Sequence, residues 1–523
     1  MYKFLNNFFN NIRKKIFLYS LILFYCFVKL QSLNHNLPPY YFYCDEGLFS
    51  DEVFRMLNSN SSQQEMFKSG PLNIIPIFYS YKIYLYLFNV SQSYTDLIIF
   101  GRAILSVGLN VISIIYLDKI LNLFFEKKSS RFINFGLLLY VLSPYLFAQT
   151  RIWYPDSYQL VFTFGLIYYI FKTKKENFKK RNLFFVVIFI SLLFSAKYTG
   201  VFLAIPAVFI LLEKFRMTFK NYSLNKKFFE FLKYFLISVA IFLSINYSIL
   251  LNFEQFLIDF YFNLNNYGGS FKFSWRLIQG VKYYSTFLFI IPFSLFSIFY
   301  QIIAFYKFIQ DKKYFEAFMF FILPISFCVY LGGYYLIINR NINFLIPLII
   351  IPICIGIKES FNFQYLPFRI FNFLNLTFMF VFIIISFSIT LLDDFKVDSR
   401  TEMQNYLIDE FTSTSIQSVG VNEGCTGNSP ADLLYITEVD RNMDTDKEAY
   451  LFNSYWNSAV KIQKQNILFV TNHKNTHFDY YLNFDLFNNN YFIQNKVIEV
   501  NKNYQLKKVF DSNGPKMMLL IKK

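Results

Sequence analysis

The sequence predicts a mainly α-helical, polytopic membrane protein with about eleven transmembrane helices, followed by a small extracytoplasmic α/β domain at the C-terminus. Three observations carry this. Hydrophobic residues make up 55% of the 523 residues and charged residues only 16%, with a mean hydropathy of +0.34. The apolar residues fall in runs long enough to cross a bilayer, and short basic clusters recur between alternate runs. A soluble domain carries roughly 25% charge to cover its surface, so a cytosolic enzyme, a disordered chain and a fibrous repeat are excluded. The 72 Phe and 41 Tyr, together with abundant Ile, Asn and Lys, match an AT-rich coding bias, so aromatic content alone is given no mechanism.

The first span covers 16–30. Arg13, Lys14 and Lys15 precede it, which places the N-terminus in the cytoplasm, and no small-residue cleavage site follows, so it reads as an uncleaved anchor. Further spans are expected at 103–125, 132–149, 157–171, 183–196, 200–212, 234–251, 285–306, 315–338, 342–357 and 371–392. The loops at 127–131, 172–181, 214–233, 307–313 and 358–369 are basic and belong inside. The turns between them carry only Arg151, Lys197 and Arg340 near their membrane edges. An odd number of spans puts the C-terminus outside. Residues 72–90 are apolar enough to look like a further span, but a crossing there would move the basic loop at Lys127, Lys128 and Arg131 outside. Pro76 and Lys82 also lie within it. The segment therefore reads as a helix in the outer interface. The net charge of +16 is explained by the inner loops, which face anionic lipid headgroups rather than nucleic acid. The expected location is a bacterial inner (plasma) membrane.

The domains expected are a transmembrane domain over 1–392, whose first extracytoplasmic loop is 31–98, and an extracytoplasmic α/β domain over 393–523. The tail opens on Ser399-Arg400-Thr401-Glu402, a capping-box pattern before Met403, Tyr406, Leu407 and Phe411 at helical spacing. Strand-like runs follow at 432–439, 466–470, 491–500 and 517–522, the last after the turn at 511–515. No internal repeat is visible. Five Cys make no disulfide framework: Cys26, Cys328 and Cys354 lie in apolar runs as packing residues, and Cys44 and Cys425 are either free thiols or a pair. His35, His473 and His477 lack metal-ligand spacing, so no metal site is expected.

Three patches carry possible chemistry. Tyr43-Cys44-Asp45-Glu46 follows the first span, with Asp51-Glu52 further on. It is either a solvated loop or a carboxylate held at the membrane surface to take a proton from a nucleophile. Thr150-Arg151-Ile152-Trp153-Tyr154-Pro155-Asp156-Ser157 fills a tight outer turn. Such a turn needs Pro and polar residues in any case, yet it also brings Arg151 and Asp156 to the level of Asp45. Arg102, Lys197 and Arg340 stand at outer helix ends. Snorkelling to the interface is one explanation. Cations on one face opposite carboxylates also suit an anionic phosphate, which Arg grips through paired hydrogen bonds and Lys attracts as a point charge.

The order of short motifs resembles the GT-C superfamily of polytopic glycosyltransferases, in particular the protein O-mannosyltransferases and lipid A aminoarabinose transferases. The matching stretches are Asp45-Glu46, Gly70-Pro71-Leu72, Gly101-Arg102-Ala103-Ile104-Leu105-Ser106, Ser143-Pro144 with Arg151 and Asp156, Lys197-Tyr198-Thr199-Gly200, Arg340 through Pro347, and Asp398-Ser399-Arg400-Thr401. The likeness runs along nearly the whole chain. It implies a hexosyl- or pentosyltransferase that moves a sugar from a polyprenyl-phosphate donor to an extracytoplasmic glycan, lipid or protein, with inversion; some members of the superfamily use a metal, but this scheme requires none, and no cofactor or divalent metal is expected. Asp45 would be the base, with Glu46 as a possible substitute. Asp156 would orient the acceptor or Arg151, and Arg102, Lys197, Arg340 and Arg151 would hold the donor phosphate. The tail departs from the β-trefoil of eukaryotic O-mannosyltransferases, which favours an envelope glycan or lipid as acceptor. A polytopic transporter or lipid flippase and a non-catalytic scaffold are the rival readings.

Overall fold

The computed structural model describes residues 2–34, 44–65, 67, 70–125, 130–176, 180–197, 200–218, 223–267, 275–333 and 339–393, with five strand segments in the tail. Among them the helices are α1 (Tyr2–Gln31), α2 (Cys44–Asn58), α3 (Ile75–Phe88), α4 (Tyr94–Arg102), α5 (Asn110–Phe124), α6 (Ser130–Val141), α7 (Pro144–Gln149) and α8 (Asp156–Lys175). They continue with α9 (Lys180–Ala196), α10 (Val201–Thr218), α11 (Leu224–Ile245), α12 (Tyr247–Leu251), α13 (Phe253–Tyr267) and α14 (Trp275–Ser285). The last are α15 (Ser297–Gln310), α16 (Tyr314–Ala317), α17 (Leu323–Gly332), α18 (Pro347–Ser360) and α19 (Leu366–Asp393). The chain divides into two compact units. One comprises Met1–Leu33, Ser62–Ser80 and Phe100–Thr390; the other comprises Asn34–Ser61, Tyr81–Ile99 and Leu391–Lys523.

Among the described residues, three helices are long and apolar enough to cross a membrane: Asp96–Phe124, Tyr314–Gly332 and Leu366–Leu392. Each falls where a span is expected. The apolar helices over Ser130–Val141, Arg181–Ala196 and Leu232–Ile245 are shorter. Every residue from 341 to 357 is buried, so α18, apolar on all sides, runs through the interior. In contrast, α19 turns Phe373, Phe378, Ile384, Ile385 and Ile389 outward, as a lipid-facing helix does. Cys328 and Cys354 are buried free thiols and Cys26 is a half-buried one, matching their reading as packing residues.

The helix ends sort into two groups. Lys174 near the end of α8 meets both oxygens of Glu316 in α16 at 2.7 and 2.6 Å. The Arg131 guanidinium lies 5.6 Å from the Phe361 ring centre, and Lys358 Nζ lies 5.9 Å from that of Phe125. All of these belong to or border the basic loops expected inside. The turns expected outside likewise contact one another, as described below for 150–156. Alternation of the loop charges thus anticipated which helix ends share a side.

The expected single span at 285–306 is interrupted. A π segment at Thr286–Ile290 follows α14, the chain turns through Pro292, and Ser294 adopts φ 76° before α15 begins. Pro292 brings no N–H to a helix and ends the ladder there. A second π segment, Ala103–Leu109, joins α4 to α5. Its loosened carbonyls at Leu105 and Ser106 accept hydrogen bonds from the Asn110 amide at 3.2 and 3.0 Å, and Tyr140 Oη donates to Asn110 Oδ1 at 2.7 Å. A third π segment, Phe318–Ile322, links α16 to α17.

In the second unit, Arg55 grips Glu52 through Nε and Nη2 at 3.0 and 2.9 Å on α2. α3, divided between the two units after Ser80, has 14 residues and spans about 21 Å, short of a hydrocarbon core of about 30 Å, and Ile83, Tyr86, Leu87 and Phe88 face outward. The tail forms one five-stranded sheet from β1 (Ser418–Val421), β2 (Leu468–Val470), β3 (Tyr480–Asp485), β4 (Tyr504–Phe510) and β5 (Lys516–Lys522), in the order β2-β1-β3-β5-β4. β1 pairs in parallel with β2 and β3, and β5 pairs antiparallel with β3 and β4, with a bulge between Leu506 and Lys508. The expected runs at 466–470 and 517–522 coincide with β2 and β5, whereas β1, β3 and β4 were not anticipated. The runs at 432–439 and 491–500 and the helix opening at Ser399 lie outside the described residues, as do Cys425, the side chain of Cys44, and the three His.

Candidate active site at the 150–156 turn

The turn at 150–156 gathers the ends of five chain segments, all in the first unit. It is set up by α7, where Ser143 caps the helix by accepting from Leu146 N at 3.4 Å and Pro144 occupies the first turn, where its missing N–H costs nothing. The helix stops six residues later, leaving carbonyls that need donors. Lys29 of α1 supplies them. Fully buried, its Nζ donates to Phe147 O at 2.6 Å and to Thr150 Oγ1 at 3.1 Å, and lies 4.1 Å from the Phe147 ring centre.

Trp153, also fully buried, donates from Nε1 to Asn73 O at 3.0 Å. Its six-membered ring covers Gly101, where any Cβ would overlap it. The glycine is therefore required by close approach, and Arg102 is held beside this contact. Arg102 is itself fully buried and donates from Nη1 to Leu33 O at 2.9 Å. The Gly70-Pro71-Leu72-Asn73 stretch is fixed in the same way: a Cβ at Gly70 would overlap Ser195 O at the end of α9.

Lys197 follows α9. Its Nζ donates to Asp156 Oδ1 at 3.0 Å and to Asn341 Oδ1 at 2.8 Å, so one ammonium ties the start of α8 to the segment Asn339–Leu345. Among the described residues, Asp156 Oδ2 has no hydrogen-bond partner, and neither does either side-chain polar atom of Asn343 or Asn73. All three residues are buried, and unpartnered buried amides of this kind mark a place where a polar ligand or water fits.

The sequence-predicted residues thus divide. The structure brings Asp156 and Lys197 into direct contact and places Arg102 beside the Gly101–Trp153 contact and Arg151 in the turn, half-buried. Asp156 contacts Lys197 rather than Arg151 in the hydrogen bonds described. Glu46 is buried on α2 in the second unit. The side chains of Asp45 and Arg340 lie outside the described residues. Sequence reading passed over Lys29, which sits in the last turn of an apolar helix like any snorkelling lysine, and over Asn73, Asn341 and Asn343, which are hard to single out in so asparagine-rich a chain. Among the described residues no group of three His, Cys, Asp or Glu is placed to hold a metal.

No family model and no curated protein matches the sequence. Solved structures do. The ArnT of Cupriavidus metallidurans in the apo state superposes with a TM-score of 0.54 at 10% identity, covering 96% of this chain and 97% of that one. The same protein bound to undecaprenyl phosphate gives 0.47 at 13% identity over 80% and 74%. The archaeal oligosaccharyltransferase AglB of Archaeoglobus fulgidus, in complex with an inhibitory peptide and a dolichol-phosphate, gives 0.46 at 10% over 78% and 62%. The near full-length match to apo ArnT shows that the chain shares the fold of that protein.

Proposed function

We propose that this protein is a membrane glycosyltransferase that transfers a sugar from a polyprenyl-phosphate donor to an extracytoplasmic glycan, lipid or protein acceptor. The observation that carries the reading is the 150–156 turn, where Lys29, Arg102, Arg151 and Lys197 gather around a segment whose own carboxylate is Asp156 alone. Cations fixed in position in this way suit a phosphate that gains charge as its bond to the sugar breaks. In this scheme the acceptor oxygen or nitrogen attacks the anomeric carbon, the carbon–oxygen bond to phosphate breaks with its electron pair on the phosphate, and Asp45 takes the acceptor proton. Attack opposite the leaving group inverts the anomeric centre. Glu46 is the substitute base. Arg102, Lys197, Arg340 and Arg151 hold the phosphate, and Asp156 fixes the position of Lys197. No step uses a metal.

The test is purified protein in lipid vesicles with a panel of radiolabelled polyprenyl-phosphate sugars and an envelope extract. Label should pass to the extract, and Lys197→Met should reduce transfer at least tenfold. Folded protein that uses no donor in the panel, yet moves lipid between leaflets, would replace this reading with the transporter one.

A further inference from the structure

At the opposite ends of the same helices lies a second cluster of cations, away from the 150–156 turn. Lys119 of α5 is exposed, yet its Nζ stays 5.1 Å from the ring centre of Tyr116 and 5.9 Å from that of Tyr168. Lys172 of α8 donates to Tyr168 Oη at 3.1 Å and lies 5.1 Å from that ring centre. Tyr169 stacks on Phe185 and Phe189 of α9 with centroids 4.6 and 5.7 Å apart, and Tyr116 meets Phe189 edge-on at 5.7 Å. These rings make a continuous aromatic floor across α5, α8 and α9. Arg181, exposed in the first turn of α9, stands one helical turn before Phe185, whose ring stacks on Tyr169. Ile112 and Ile115 continue the Lys119 stripe along α5 and are exposed, as is Phe184 on α9.

A lysine that merely snorkels carries its ammonium into water. Here both ammoniums fold back over aromatic faces, at the level where apolar rims give way to the basic loops. Two carboxylates border the cluster: Glu176, whose Oε2 accepts from the Asn182 amide at 3.3 Å, and the half-buried Asp118. The cations remain in the majority. We propose that this face binds one anionic phospholipid, with its phosphate on Lys119, Lys172 and Arg181 and an acyl chain along Ile112, Ile115 and Phe184. The site requires nothing of the transfer reaction.

Native mass spectrometry of the delipidated full-length protein, titrated with phosphatidylglycerol or phosphatidylcholine, tests it. Phosphatidylglycerol should bind more tightly. The K119Q/K172Q double variant should weaken that binding about 25-fold, about fivefold for each juxtamembrane cation, and leave phosphatidylcholine unchanged. The K226Q/K233Q variant, which removes cations from α11, should stay within about twofold of the parent. Equal binding of the two lipids, or equal weakening by the two double variants, would overturn the site in favour of a diffuse basic rim.

Discussion

Removing the Asp156 carboxylate separates a structural bridge from an incidental contact. Lys197 Nζ lies 3.0 Å from Asp156 Oδ1, with the lysine side chain 23% exposed and the aspartate 5%. Coulomb attraction at that distance is about 5.5 kcal/mol at an effective dielectric of about 20 and about 1.4 kcal/mol in bulk water. Desolvation of the aspartate offsets much of this. A hydrogen bond to a charged group nets roughly 1.5–3 kcal/mol, and partial exposure of the ammonium moves the value toward the lower end through screening. The pair should therefore couple by about 2 kcal/mol, roughly a 30-fold change in an equilibrium constant. A double-mutant cycle over D156N, K197M and the double variant, read by thermal unfolding in detergent, isolates this term. Either single change should destabilise by about 2–3 kcal/mol, and the double variant by little more than one of them. In D156N the 2.8 Å bond from Lys197 to Asn341 remains, so the ammonium keeps one anchor. On the proposed function, D156N should also raise KM for the donor, since a lysine with one tether is held less firmly. Simple additivity, with coupling below about 0.5 kcal/mol, would refute the bridge.

Three further outcomes are expected. Gly101→Leu should destabilise by at least about 2 kcal/mol through overlap with Trp153, measured as a fall in Tm, and Trp153→Ala in the same chain should recover part of the loss. Lys29→Met should cost about 1–3 kcal/mol by leaving the Phe147 carbonyl without this donor; an unchanged Tm would show that the ammonium does not hold the turn. Hydrogen bonds from Lys313 and Lys307 hold the Asp311 carboxyl below its usual range. Its contribution is therefore present above about pH 4, the ordinary carboxylate value, and is lost as pH falls through the lowered value. The effect at this solvent-accessible position is under about 1 kcal/mol, and D311N should flatten the Tm-against-pH curve in that window.

Hydropathy made the transmembrane part legible because lipid leaves few choices: an apolar run must become a helix and its charges must gather at the ends. The 150–157 patch stood out for the same reason, since Arg151 and Asp156 flank a Pro-containing turn between two such runs. The role of Lys29 did not, because an ammonium at a helix end reads identically whether it reaches water or the Phe147 carbonyl. The break at Pro292–Ser294 was hidden by flanking residues as apolar as any span. In the tail, a strand as short as Ser418–Val421 gives period-2 alternation too few positions to register, and pairing, rather than local pattern, defines it.

The π segment at Ala103–Leu109 sets the phase between the two ends of one long helix. Its turn holds one residue more than an α-turn, an extra advance of about 100° around the axis. Arg102 at one end and Lys119 at the other therefore keep their separate bearings only while that surplus residue is present. A substitution there that preserves length leaves both bearings intact, whereas deleting a single residue would swing one cation about a quarter-turn out of line with the other.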